Sequence, residues 1–118
     1  MKAKPIISVS ELSFGYSQNQ SVISNAICNI PENTLTVIMG KNGSGKSTFL
    51  RLLGGIMQYN SGTISINDFD LKKMKLGDRA KMIGFLPQHH KPVFPFKVSE
   101  VVLTGRASYI RFSPKKSD

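Results

Sequence analysis

The sequence is poor in cysteine, tryptophan, acidic residues and long apolar stretches. Cys28 is the only cysteine among 118 residues, which excludes an internal disulfide framework and fits a reducing cytosol. No apolar run approaches the ~20 residues of a membrane-spanning helix. Met1-Lys2-Ala3-Lys4-Pro5 carries two lysines, but the sustained apolar segment of a secretory signal does not follow. Seven Asp and Glu against 16 Lys and Arg leave a net charge of +9. Such a balance suits phosphates, nucleic acid or an anionic membrane face. The basic residues are dispersed, however, with small clusters at Lys72, Lys73, Lys75 and at Arg111, Lys115, Lys116. None reaches the run of roughly five like charges that marks a nucleic-acid tail, so no specific nucleic-acid partner is expected.

What is present reads as globular: 40% hydrophobic and 19% charged residues, enough for one domain at most. Residues 6–12 are apolar and β-branched with partial alternation, as in a strand. Residues 15–20 are turn-like, and 21–30 read as a second strand closed by Pro31. Leu35-Thr36-Val37-Ile38-Met39, ending at Gly40, has the length of a strand buried on both faces. The period then changes: Phe49, Leu52, Leu53 and Ile56 recur at helical spacing, weakened by Gly54 and Gly55. Residues 60–62 turn, 63–66 alternate as a strand, and Asn67-Asp68 turns again. Residues 71–81 are basic and weakly amphipathic, and 82–86 form a short strand candidate stopped by Pro87. Two prolines make 89–96 a loop. Val98, Val101 and Val102 have helical spacing, with β-branching leaving strand open.

One segment carries chemistry: Gly40-Lys41-Asn42-Gly43-Ser44-Gly45-Lys46-Ser47-Thr48, which fits G-x-x-x-x-G-K-[ST]. Polyphosphate is held by successive backbone N–H groups turned inward, and glycines at 40, 43 and 45 permit the turn. The helix starting near Lys46 directs its N-terminal dipole at the anion. Lys46 would reach the β- and γ-phosphates, Ser47 would ligate Mg²⁺, and Thr48 would contact the α-phosphate. Chance produces the four fixed positions in roughly 0.4% of chains this long, so an incidental glycine turn is the weaker reading.

The run with Asn42, Gly43, Ser44, Gly45, Lys46, Ser47 and Thr48 closely resembles the Walker A motif of ABC-transporter ATPases. Three further stretches agree in order and spacing. Leu12-Ser13-Phe14-Gly15-Tyr16 resembles the family's aromatic loop, Gly62-Thr63-Ile64-Ser65-Ile66-Asn67 the strand and turn after the Walker A helix, and Phe85-Leu86-Pro87-Gln88 the strand into the Q-loop. The resemblance implies an α/β fold: a P-loop NTPase core of the ABC ATPase type with an N-terminal antiparallel β subdomain. It divides the chain into an N-terminal β region with the aromatic loop (1–34), the Walker A strand, loop and helix (35–57), a β region with the Q-loop (58–97) and the start of a helical subdomain (98–118). It implies ATP and Mg²⁺ as cofactors, Tyr16 as the adenine platform, and Gln88 as a Mg²⁺ ligand or the orienter of the attacking water. Full-length relatives form head-to-tail homodimers and drive transmembrane permease subunits. That places such a chain in the cytoplasm, peripheral to the inner (plasma) membrane through those subunits. Val98-Ser99-Glu100-Val101-Val102-Leu103-Thr104-Gly105-Arg106 resembles the start of the helical subdomain in the subgroup importing iron–siderophore, haem or cobalamin, which often reads V-x-x-G-R here.

The chain carries no Leu-Ser-Gly-Gly signature, and no four-residue apolar strand ending in Asp-Glu follows the P-loop. The expected domain is therefore truncated before the signature and Walker B motifs, competent for nucleotide binding with slow or no turnover. Two other readings remain: another P-loop NTPase, such as a small kinase using Arg106 and Arg111, or a non-catalytic nucleotide-binding fragment. His89 and His90 are adjacent, share no face and read as a solvated pair, and Cys28 reads as packing.

Overall fold

A computed structural model of the chain describes residues 4–89 and 95–106. His90, the loop residues 91–94, and Arg111 with the rest of 107–118 lie outside the described residues. The chain divides into two units, residues 1–74 and 75–118.

The first unit is built on an antiparallel sheet. Strands β1 (Pro5–Ser17) and β2 (Gln20–Pro31) form a long hairpin, longer than expected because β1 runs on to Ser17. Helix α1 (Lys46–Leu53) follows, then β3 (Ser61–Ile66) and the two-residue β4 (Phe69–Asp70), giving the order β2-β1-β3-β4. β1 is irregular in its pairing with β2. Val9 pairs with Cys28 but Leu12 pairs with Ala26, so β1 carries one extra residue there, at Glu11 with φ 49°. Phe14 then pairs with Ile23, so β2 carries an extra residue in turn, beside Asn25 with φ 46°. The two bulges cancel in register while adding local twist. Asn67 and Asp68 both have positive φ (51° and 67°), the two-residue turn that matches strand twist and closes the β3–β4 hairpin.

Among the described residues, Val9, Leu12, Phe14, Leu52, Leu53, Tyr59, Ile64, Ile66 and Leu71 are the buried apolar ones. Val9, Leu12 and Phe14 come from β1, Ile64 and Ile66 from β3, Leu52 and Leu53 from α1, with Tyr59 just before β3 and Leu71 just after β4, each full burial contributing about 2 kcal/mol. Of the helical face foreseen in α1, Leu52 and Leu53 are buried, whereas Ile56 is exposed because the helix stops at Gly54.

Two expected strands are not formed. Residues 35–39 belong to no sheet, and Leu35, Val37 and Met39 are 92%, 69% and 87% exposed. A strand exists only as a ladder, and no described segment pairs with this one, so its apolar run stays irregular. Residues 83–86 in the second unit are likewise irregular. The stretch before them takes helical form instead, as α2 (Leu76–Met82). Residues 71–73 form a single 3₁₀ turn capped by the Asp70 side chain, which accepts the Lys72 N–H at 3.0 Å. Val98–Thr104 is helical (α3), its first turn closed by the Glu100 carboxylate accepting the Lys97 N–H at 2.8 Å. No helix among the described residues is long and apolar enough to cross a membrane.

Candidate nucleotide-binding site

The P-loop and the aromatic residue expected to serve it lie in the same unit, and the structure brings them together. The loop tightens where the Ser44 N–H donates to the Lys41 carbonyl at 3.1 Å. Gly43 (φ 82°) and Gly45 (φ 99°) are both left-handed, a geometry that turns consecutive amides to one side. Gly45 is also the N-cap of α1, and its carbonyl accepts the first helical bond, from the Phe49 N–H at 2.8 Å. A Cβ at Gly45 would lie 3.0 Å from Val22 Cγ1, so the loop passes close over β2. No acidic residue occupies the first turn of α1, which leaves the helix N-terminus electrostatically open to an anion.

Lys46 folds back on the loop. Its Nζ donates to the carbonyls of Gly40 at 2.5 Å and Lys41 at 2.7 Å. The cation therefore sits over the mouth of the loop, held by oxygens that an incoming phosphate would outbid. Gly40 and Asn42 are exposed on the loop, and so is Ser47 on the first turn of α1, while Thr48 is buried. The Tyr16 hydroxyl is 2.9 Å from Thr48 Oγ1, joining the end of β1 to that turn. Phe14 is buried beneath, its ring edge-on to Tyr16 at 5.0 Å between centroids and 83° between planes. This leaves Tyr16 58% exposed, a supported aromatic with a free face.

Gln88 and His89 belong to the second unit, where both are exposed in its irregular stretch. Cys28 is half-buried on β2, and burial pushes its thiol pKa up, as befits a packed, unreactive group. Sequence reasoning missed Asn60, whose side-chain oxygen accepts the Gly15 N–H at 2.8 Å. Its position in a turn-forming Asn60-Ser61-Gly62 gave no hint of a partner 45 residues away.

The loop fits a polyphosphate on its own terms: left-handed glycines, an open helix N-terminus and a lysine placed at its mouth. Mg²⁺ prefers hard oxygens and takes most of them from phosphate and water, so a single exposed hydroxyl such as that of Ser47 suits it.

The family model described as ABC transporter matches residues 23–116. The chain belongs to the ABC transporter family. It is 31% identical over 115 residues to an uncharacterized ABC transporter ATP-binding protein of Haemophilus influenzae, covering 96% of this chain and 43% of that one. It is 37% identical over 113 residues to a hemin import ATP-binding protein of Rhizobium etli, covering 96% and 42%. A solved bacterial Atm1-family ABC exporter with ATP bound superposes with a TM-score of 0.67 at 25% identity, covering 72% of this chain and 15% of that one. The chain spans less than half the length of these curated relatives. ATP-binding domains of this family bind ATP with Mg²⁺ and hydrolyse it. The antiparallel N-terminal sheet and the loop-to-helix unit after it belong to the ABC ATPase fold.

Proposed function

We propose that this chain forms the nucleotide-binding part of an ABC transporter ATPase subunit. ATP would lie with its phosphates in the loop of residues 40–48. Lys46 would neutralise the β- and γ-phosphates, the Ser47 hydroxyl would ligate Mg²⁺, and Thr48 would contact the α-phosphate, with the adenine on Tyr16. Mg²⁺ would offset charge on the transferring phosphoryl group, and Gln88 would complete its ligands or orient water. The observation that carries this reading is the return of Lys46 onto the Gly40 and Lys41 carbonyls beside left-handed Gly45.

Binding and hydrolysis would be coupled to transport through permease subunits and a head-to-tail partner copy, with the chain cytoplasmic and peripheral to the inner membrane. Gln88 and the adjoining 89–96 would then face the permease. Import of an iron–siderophore or related substrate is favoured by the Val98–Arg106 pattern and by the name of the Rhizobium relative. Export is the second reading, favoured by the Atm1-family likeness.

The test is nucleotide binding by the wild type and Lys46→Ala, followed with a fluorescent ATP analogue. Loss of at least about tenfold in affinity is expected for a desolvated charge–phosphate contact. Equal binding by both proteins refutes the site.

A further inference from the structure

Beside Tyr16 the first unit opens a groove of about 550 Å³, lined by Ser13, Gly15, Ser17, Ile23 and Asn60 among others. What shapes it is the way β1 ends. The β3 ladder follows β1 only as far as the Ser13–Ser61 pair. One step beyond, Asn60 replaces the strand. Its N–H donates to the Ser13 carbonyl at 3.1 Å, and its Oδ1 accepts the Gly15 N–H at 2.8 Å. On the other edge, Ser13 Oγ accepts the Asn25 N–H at 3.0 Å and donates to Asn25 Oδ1 at 3.3 Å.

Residues 13–15 are thus fastened from both sides just before Tyr16. Gly15 cannot fasten itself with a side chain, because a Cβ there would overlap the Gln20 carbonyl oxygen. Its backbone N–H is the available handle, and an Asn side chain is well suited to take it. Tyr16 leaves this clamp to reach Thr48. Its direction is therefore set by the segment that Asn60 holds.

We propose that Asn60 is a positioning residue for nucleobase recognition: it fixes the Gly15 amide so that Tyr16 presents its ring beside the P-loop. The proposal rests on the reading of the chain as ATP-binding. Asn60 acts through Tyr16, on the base first and on the phosphates only by way of Thr48, whereas Lys46 and the loop amides do not depend on it, so the two ligand halves separate its role from a general loss of folding.

The experiment compares dissociation constants for ATP and for inorganic tripolyphosphate. It uses the full 118-residue chain, as wild type, Asn60→Ala, Asn60→Asp, Tyr16→Ala and the Tyr16→Ala/Asn60→Ala double variant. Asn60→Ala is expected to weaken ATP by about fivefold or more, part of the full stacking contribution, with tripolyphosphate weakened clearly less. Asn60→Asp keeps the acceptor and restores the wild-type ratio of the two affinities. In the Tyr16→Ala background the Asn60 change adds nothing, since two residues acting through one contact are not additive. Asn60→Ser, too short to reach Gly15, gives the same split should the alanine variant fold poorly. Unchanged ATP affinity in Asn60→Ala, equal loss for both ligands, or additive losses in the double variant would each overturn the proposal. A wild type that binds neither ligand better than Lys46→Ala overturns the ATP-binding reading itself, and this inference with it.

Discussion

Tyr16 and Thr48 share one hydrogen bond, 2.9 Å between hydroxyl oxygens, and it ties the end of β1 to the first turn of α1. Either oxygen can donate. If Thr48 turns its proton to an α-phosphate, Tyr16 must supply the proton of their shared bond, so the phenol orients the hydroxyl it touches. Tyr16→Phe keeps the ring and its edge contact with Phe14 but loses this orientation. It is expected to weaken ATP binding by about 1 kcal/mol, roughly fivefold. Tyr16→Ala removes the platform too, and about 1–3 kcal/mol is expected to go with it. Displacement of a fluorescent ATP analogue measures both, and a phenylalanine variant weaker than the alanine one would contradict this order.

Gly45 has φ 99° at the N-cap of α1, with Val22 Cγ1 3.0 Å from where a Cβ would stand. Gly45→Ala therefore meets both left-handed strain and a crowded neighbour. A loss of about 1–3 kcal/mol in unfolding free energy is expected by urea titration, with ATP affinity falling as well. A variant as stable as the wild type would show that the loop relaxes freely.

Turnover is a separate matter from binding. The 118 residues supply the loop, the lysine and the Ser47 hydroxyl, but no apolar strand ending in Asp-Glu and no Leu-Ser-Gly-Gly. Phosphoryl transfer needs an in-line water held by a positioned group. Phosphate release by these residues alone, followed with malachite green, is expected at or near background. Rates matching a complete relative would refute this.

Burial raises the pKa of the Cys28 thiol and, at higher pH, of the Tyr59 phenol. Both groups hold their proton more tightly folded than unfolded. The thiol's contribution is fully present below its ordinary value and declines as pH rises through it towards the raised one, and the phenol's declines only above its own, higher ordinary value. Urea midpoints are therefore expected to fall as pH rises above the ordinary thiol value of about 8.5. Cys28→Ala should flatten the first part of that decline, and an identical slope in the variant would exclude the thiol as its source.

The site was legible in the sequence where chemistry is local. The glycine spacing, Lys46 and the helix beginning there depend on residues within one turn of each other, and so does the Asn67-Asp68 hairpin. The hairpin of β1 and β2 and the alternation of β3 were readable because each has an adjacent partner. Residues 35–39 and 83–86 misled because an apolar β-branched run shows only that a strand is permitted. Forming one takes hydrogen-bonding neighbours, which the run itself does not encode. Asn60 was invisible for a related reason: its partners Ser13 and Gly15 are far away in sequence, and exposed asparagines are common in turns. The bulges at Glu11 and Asn25 likewise leave no trace in a period-two pattern beyond a broken alternation.

β1 is laddered on both edges, whereas residues 35–39, which lead into Gly40, are in no sheet. Amide exchange with solvent follows local opening, so it will be slowest along β1 and fast in the approach to the loop. The proposed nucleotide would touch both, its base against the most protected strand and its phosphates against a segment joined to the least protected one. Ligand binding in this chain would then act less by moving β1 than by quieting residues 35–45, lending the rigidity of the sheet to a loop that lacks its own.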